Sequence, residues 1–170
     1  MTRAQRLNLA TTVRQVIAVL EKHPQKTDGV RLVPVFPSRD PVVVGDEDLL
    51  HRAIFNLVLN AMQASAPGGE VKIELAEIGR HQLPAQAAAF ARGGVMLRVI
   101  DHGEGIAPQI RNRLFEPFVT TKPQGSGLGL SIVQRAIDSH HGFVLVDSGE
   151  SGTTFSVIIP KLGKDGDANV

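Results

Sequence analysis

Apolar and polar residues alternate, or β-branched apolar residues cluster, in several short stretches of the chain, which is the pattern of β-strands. The predicted strands are 6–9, 30–36, 41–44, 70–76, 95–100, 143–146 and 153–159. Pro34 lies inside the second stretch and has no N–H to donate. This strand is therefore expected at a sheet edge or a bulge.

Other stretches repeat apolar residues at intervals of three and four, which places them on one face of a helix. The predicted helices are 12–23, 46–65, 107–114 and 128–140. Thr12 and Gln15 have the spacing of a capping box, and the three acids at 46–48 suit the positive end of a helix dipole. The Ala-rich segment 78–94 has no clear period and is predicted to be an insertion containing one helical turn.

The elements follow one another without a regular strand–helix–strand alternation. This order favours an α+β fold, a two-layer α/β sandwich with a mixed sheet and helices on one face, over a doubly wound fold. A chain of 170 residues is most simply one domain, which we expect to span 1–162. The polar residues 163–170 predict a disordered tail.

Composition excludes several classes of function. A net charge of +1 gives no argument for a nucleic-acid or bulk-membrane partner, and all seven aromatic residues are Phe. The absence of Cys excludes disulfides and thiolate zinc sites. No apolar run reaches about 18 residues, so no membrane insertion by this chain is expected. We expect a cytoplasmic protein, or the cytosolic part of a membrane-bound parent.

The first candidate site residue is Asp101, which follows the strand 95–100 and precedes Gly103 and Gly105. Alternating glycines make a tight loop whose backbone lies close to whatever the carboxylate holds. A buried carboxylate there accepts a hydrogen bond from the amino group of adenine, whereas guanine has an oxygen at that position. Taken alone, the same pattern is more often an ordinary turn.

The second candidate feature is a polar helix face. Asn56, Asn60 and Gln63 are neighbours on the predicted helix 46–65, because residues four and seven apart share a face. The amide oxygen of Asn60 is a suitable ligand for Mg²⁺, which takes other ligands from phosphates and water. A solvated helix Asn is the alternative, and this residue alone does not decide between them.

The third candidate feature is a glycine loop, Gly125 to Gly129, at the start of the predicted helix 128–140. Such a loop can present backbone N–H groups to phosphates, although a flexible loop is the alternative. Lys122 could reach a phosphate, and the polar segment 119–127 is predicted to be a mobile lid. The three histidines without partners at metal-ligand spacing are predicted on the solvated surface: His51, His140 and His141.

Together these stretches resemble the catalytic and ATP-binding domain of bacterial sensor histidine kinases, in the GHKL superfamily. The resemblance covers about 46–160 and rests on motifs similar to the N box at 56–61, the first glycine box at 101–106, the F box at 115–118, the second glycine box at 125–130 and the final motif at 152–155. It implies the Bergerat fold and binding of ATP with Mg²⁺. The lid residues Thr120, Thr121 and Lys122 are similar to those of the nitrogen-regulation branch.

The resemblance also assigns roles to single residues. It assigns Asn60 to Mg²⁺, Asp101 to the adenine amino group and Thr153 to the adenine side of the pocket. The motif positions imply further ATP-binding residues: Asn56, Gln63, Gly103, Gly105, Ile106, Lys122, Gly125, Ser126, Gly127, Leu128, Gly129 and Leu130. Many members carry Lys or Arg at the Gln63 position, so Lys122 is expected to supply part of that charge.

One position discriminates between the activities found in this superfamily. The related ATPases use a Glu as general base, and serine kinases of the anti-sigma type also tend to carry an acid, at the position that here is Asn56. An amide has no useful basicity, so a protein-histidine kinase is favoured over a GHKL ATPase or a serine kinase. A nucleotide-sensing module without transfer activity stays an alternative.

The phosphoacceptor is expected elsewhere in the parent protein. The family's acceptor His is usually followed by an acid, and none of the six His residues here is. The resemblance therefore implies two partners: a His-bearing dimerisation domain of the same parent, and a response regulator downstream.

Overall fold

The structure, a computed structural model, describes residues 3–24, 26–87, 90, 92–117 and 129–161. The strands are β1 (Gln5–Asn8), β2 (Arg31–Val35), β3 (Val42–Gly45), β4 (Glu70–Ile78), β5 (Gly94–Ile100), β6 (Phe143–Gly149) and β7 (Gly152–Pro160). The α-helices are α1 (Leu9–Leu20), α2 (Glu47–Ala64) and α3 (Gly129–Ser139). Every predicted strand is present, with ends shifted by at most three residues.

Five strands form one mixed sheet in the order β2-β4-β5-β7-β6. β2 runs parallel to β4, and the other neighbouring pairs are antiparallel. β2 lies at the edge, as Pro34 predicts, since an edge strand tolerates a missing N–H donor. β1 and β3 form a separate antiparallel pair.

The main core lies between one face of this sheet and the helices. α2 contributes the predicted apolar stripe, whose members are each at most 3% exposed: Leu50, Ile54, Leu57, Val58 and Ala61. Val71, Ile73 and Leu75 occupy alternate positions of β4 and join the same cluster, because every second residue of a strand faces one side. The predicted α+β sandwich is confirmed.

The start of α1 differs from the prediction. Asn8, not Thr12, precedes the first helical turn, and its side chain accepts a hydrogen bond from the Thr11 N–H at 3.2 Å. Asn is among the best N-cap residues. The capping box predicted at Thr12 was therefore wrong by one turn.

The start of α2 agrees with the prediction of acids at a helix N-terminus. Asp46 is the N-cap, and its carboxylate accepts from the backbone N–H groups of Arg3 at 3.0 Å and Leu49 at 3.1 Å. These hydrogen bonds lower the pKa of Asp46 because they favour its charged form, and the bond from Arg3 has the largest effect.

The helix predicted over 107–114 was wrong. The structure has turns there and one 3₁₀ turn, Arg111–Arg113. Within 107–114, all of it described, Leu114 alone is buried. A segment with so little apolar surface to bury gains too little from packing to hold an α-helix.

The predicted insertion lies between β4 and β5 and contains two 3₁₀ turns, Arg80–Gln82 and Ala85–Ala87, where one helical turn was predicted. Its side chains build a second, smaller apolar cluster against the sheet. The members include Leu83, Ala87, Phe90 and Ile158.

The end of α3 is a Schellman motif. The N–H of Gly142 donates to the Ile137 carbonyl, and that of His141 donates to the Asp138 carbonyl, both at 3.0 Å. This geometry places His141 in the left-handed region, with φ of 57°. Glycine is the usual residue at that position of the motif.

We therefore expect His141→Gly to stabilise the fold. The left-handed conformation costs a residue with a Cβ about 1–2 kcal/mol, part of which the greater freedom of unfolded Gly cancels. Urea denaturation should show a gain of roughly 0.5–1 kcal/mol in the free energy of unfolding. Gly142→Ala is the matched control and should destabilise, because its Cβ would lie 2.6 Å from the Ile158 carbonyl oxygen. A loss of stability in His141→Gly would contradict this account.

Candidate functional site

Asp101 lies just after β5, with its carboxylate held by two backbone amides. Its Oδ1 accepts from the N–H of Gly103 at 2.9 Å and from that of Thr153 at 3.2 Å. The residue is only 4% exposed. A carboxylate has about four acceptor sites, so Asp101 can hold both amides and also accept from a ligand.

Gly103 and Gly105 bring the loop after β5 against two other segments. A Cβ on Gly103 would overlap the carbonyl oxygen of Ala64, at the end of α2. A Cβ on Gly105, whose φ is +81°, would overlap the carbonyl oxygen of Gly149, at the end of β6. Only glycine fits at these two positions. The loop therefore packs against both the end of α2 and the β6–β7 hairpin.

Ser148 contacts two residues of the candidate site, and no sequence motif predicted it. Its Oγ accepts from the Ile106 N–H at 2.8 Å and lies 2.8 Å from the Thr153 Oγ1. Thr153 itself is 4% exposed. The one signal for Ser148 is its cross-strand register with Thr153, which becomes visible only when the pairing of β6 with β7 is known.

The polar face of α2 lies beside the start of α3. Asn56, Asn60 and Gln63 are all half-buried. A Cβ on Gly129 would lie 3.6 Å from the Asn56 Oδ1, and Leu130 packs against the main core. The structure therefore brings together the predicted N-box face and the described part of the second glycine box.

The segment similar to the F box has a packing role. Phe115 is half-buried and contacts Phe155 of β7 edge to face, with 6.5 Å between ring centroids. Ile106, a predicted site residue, is half-buried against the same core. These contacts anchor both ends of the segment that follows the Asp101 loop.

Other predicted site residues lie outside the residues that the structure describes, and they stay predictions: Lys122, Gly125, Ser126, Gly127 and Leu128. The predicted lid 119–127 lies there as well.

The prediction of surface positions was wrong for His140, which is 7% exposed. Its Nε2 accepts from the Asp46 N–H at 2.9 Å, and its Nδ1 lies 2.6 Å from the Ala136 carbonyl oxygen. A neutral ring with its proton on Nδ1 satisfies both partners. His140 thus ties the end of α3 to the start of α2. His51 is half-buried and His141 is exposed.

Within the described residues, no group of three or more His, Cys, Asp or Glu could hold a metal ion. None of the described helices is long and apolar enough to cross a membrane.

Comparison with known proteins places this chain in a family. Residues 45–163 match the family described as "Histidine kinase-, DNA gyrase B-, and HSP90-like ATPase". The match spans more than half of the chain, so the chain belongs to this family, and ATP binding is the property its members share. The resemblance to the GHKL superfamily is confirmed.

Similar proteins in this family include a sporulation kinase and a sensory histidine kinase/phosphatase. Sporulation kinase A of Bacillus subtilis (strain 168) is 34% identical over 156 residues, which are 91% of this chain and 23% of that protein. The sensory histidine kinase/phosphatase NtrB of Escherichia coli O157:H7 is 34% identical over 134 residues, covering 78% of this chain and 38% of NtrB. The chain therefore spans well under half the length of these relatives.

Solved structures show the same architecture. The nucleotide-free catalytic domain of histidine kinase ThkA matches with a TM-score of 0.76 and 28% identity, covering 94% of this chain and 96% of that one. The mycobacterial sensor histidine kinase MprB matches with a TM-score of 0.75 and 28% identity, covering 93% and 97%. The chain thus has the fold of a histidine kinase catalytic domain.

Proposed function

We propose that this chain binds ATP and transfers its γ-phosphoryl group to a His on a separate dimerisation domain, as the catalytic domain of a two-component sensor histidine kinase. The observation that carries the proposal is the buried carboxylate of Asp101, fixed by the backbone amides of Gly103 and Thr153. A buried acceptor of this kind is suited to a base that presents an amino group.

Adenine is the base that fits. Its amino group donates to the Asp101 carboxylate, whereas the oxygen of guanine at the same position would meet a second acceptor and leave both unpaired. The proposed pocket continues along the loop through Gly105 and Ile106 and is closed on the other side by Thr153.

Mg²⁺ is proposed to bind through the amide oxygen of Asn60. Asn60 is half-buried on the α2 face that also carries Asn56, and Asn56 lies beside Gly129 at the start of α3. With no acidic cluster among the described residues to complete a metal site, the donor set suits an ion held partly by phosphates and water. When bound, Mg²⁺ would offset charge on those phosphates.

The proposed phosphate side is formed by the backbone amides of 125–129, together with Ser126, Leu128 and Leu130, at the start of α3. Lys122 is proposed to supply positive charge that Gln63 lacks. The proposed domain is 1–162, followed by the tail 163–170. A cytoplasmic location, a His-bearing dimerisation domain and a response regulator are parts of the same proposal.

Transfer is favoured over hydrolysis because of Asn56. Phosphoryl transfer needs a positioned nucleophile and charge stabilisation on the phosphoryl oxygens. Hydrolysis further needs a group to activate water. The related ATPases carry a Glu for this at the position of Asn56, whereas the half-buried Asn56 has an amide, which is not a useful base. We expect this chain to stabilise charge and to depend on another domain for the nucleophile.

The test is phosphoryl transfer from labelled ATP. We expect this chain alone to bind ATP, to hydrolyse it very slowly and to remain unlabelled. Addition of the parent's dimerisation domain should give a label that is acid-labile and base-stable, as a phosphorylated His is. Replacement of the acceptor His on that domain is the control and should abolish the label.

Three outcomes would contradict this proposal. Rapid steady hydrolysis by this chain alone would favour the ATPase alternative. An acid-stable label on Ser of a partner would favour the serine kinase alternative, and ATP binding without transfer to any domain would favour a nucleotide-sensing module.

A further inference from the structure

The loop that follows β5, residues 101–106, has its two ends held in different ways. At the start, the Asp101 N–H donates to the Thr153 carbonyl at 3.0 Å, and the Asp101 carboxylate accepts from the Gly103 N–H at 2.9 Å. At the far end, both backbone polar groups of Ile106 bond to side chains from other parts of the chain.

Ser148 and Arg111 provide these two side chains. The Ile106 N–H donates to the Ser148 Oγ at 2.8 Å, and the Ile106 carbonyl accepts from the Arg111 Nε at 2.9 Å. A backbone N–H can only donate, so Ser148 is the acceptor whichever way its own proton points. Ser148 and Ile106 are half-buried, whereas Arg111 is exposed. Loss of the Ser148 acceptor therefore costs more than loss of the Arg111 donor, which water can replace.

The glycines of this loop make such support important. Gly103 and Gly105 have more conformational freedom than any other residue type. A loop that has to be ordered when a ligand binds reduces affinity, by the fraction of molecules in which the loop is already competent. This inference rests on the proposed ATP site, in which the base lies along the loop.

We propose that Ser148 and Arg111 are positioning residues for the nucleotide. They hold Ile106, and with it the loop that carries Asp101, in the conformation that binds the base. Neither side chain touches the nucleotide in this role. Loss of either contact should therefore weaken ATP and adenosine by the same factor, whereas a guanidinium that contacts phosphate would affect ATP alone.

The first test compares Ser148→Ala with the wild-type chain by NMR titration with Mg²⁺-ATP and with adenosine. Affinity for each should fall roughly three- to tenfold, the scale of one hydrogen bond. Amide hydrogen exchange at Gly103 and Ile106 should become faster, while the core amides of β5 keep their wild-type rates. Ser148→Thr keeps the hydroxyl and should restore both properties. Ser151→Ala, at an exposed position of the same hairpin, is the matched control and should change neither.

The second test separates the hydrogen bond of Arg111 from its charge. Arg111→Gln keeps an N–H donor at the same position along the side chain and removes the charge. It should bind ATP as the wild type does, whereas Arg111→Ala should lose roughly two- to threefold for ATP and adenosine alike. Arg113→Ala is the matched control, because Arg113 lies in the same 3₁₀ turn and pairs with Glu116 at 3.1 Å. Its ATP affinity should be that of the wild type.

Two results would overturn the positioning role even if affinity falls. If Arg111→Gln and Arg111→Ala both weaken ATP and leave adenosine unchanged, Arg111 contacts phosphate instead. If Ser148→Ala accelerates hydrogen exchange by the same factor throughout the chain, Ser148 supports the fold in general and does not position this loop.

Failure of the proposed function would look different. A wild-type chain that binds neither ATP nor adenosine would overturn the proposed function and, with it, this role. A wild-type chain that binds ATP with an affinity that Ser148→Ala and Arg111→Ala leave unchanged would overturn the positioning role alone.

Discussion

Asp101→Asn is expected to weaken ATP binding by roughly 1–3 kcal/mol, the cost of an unpaired buried polar group. The Asn oxygen can still accept from the amides of Gly103 and Thr153, which Asp101 Oδ1 holds at 2.9 and 3.2 Å. The new NH₂ group replaces Oδ2 and donates toward an amino group that also donates. Titration calorimetry should therefore show ATP affinity reduced roughly fivefold to 150-fold.

The same substitution at an exposed carboxylate provides a matched control. Asp147 lies in β6 and is exposed, and Asp147→Asn should leave ATP affinity unchanged. Thermal melting should show that both variants remain folded. If Asp101→Asn binds ATP with the affinity of the wild type, the Asp101 carboxylate does not recognise the base.

Asn60→Ala is expected to remove most of the Mg²⁺-dependent part of ATP affinity. Loss of a metal ligand should cost on the order of tenfold to a hundredfold in the presence of Mg²⁺. The fold should persist, because Asn60 borders the apolar stripe of α2 and Ala is the better helix former. The measurement is ATP titration of wild type and variant with Mg²⁺.

The control for this variant is the same titration in excess chelator. There the wild type and Asn60→Ala should bind ATP with similar, low affinity, since only the metal contact has been removed. A variant that binds Mg²⁺-ATP as tightly as the wild type would exclude Asn60 as the metal ligand. Equal losses with and without Mg²⁺ would indicate a direct contact with the nucleotide instead.

The elements that bury a continuous apolar face could be predicted from sequence. The stripe of α2 and the alternation of β4 each repeat at the period of their own backbone, and both are buried as expected. Elements without such a face were predicted less well. The segment 107–114 has a proline in its first turn, as a helix would, but buries Leu114 alone. The sequence pattern indicates where a helix would start, whereas packing of an apolar face decides whether the helix forms.

The candidate site likewise contains residues that sequence motifs could indicate and residues that only the folded structure reveals. Asp101, Asn60 and Thr153 could be proposed as site residues from sequence, because the resemblance carries them in recognisable motifs. Ser148 could not, since its contact with Thr153 arises only when β6 pairs with β7. His140 could not either, because its partner Asp46 lies 94 residues away in sequence.

The most direct test of the proposed adenine site is titration of the wild-type chain with ATP and GTP, in parallel, in the presence of Mg²⁺. A pocket built on the Asp101 carboxylate predicts saturable ATP binding and GTP binding at least roughly tenfold weaker, because guanine leaves buried acceptors unpaired. Equal affinity for ATP and GTP would contradict the assignment of Asp101 and, with it, the proposed adenine site.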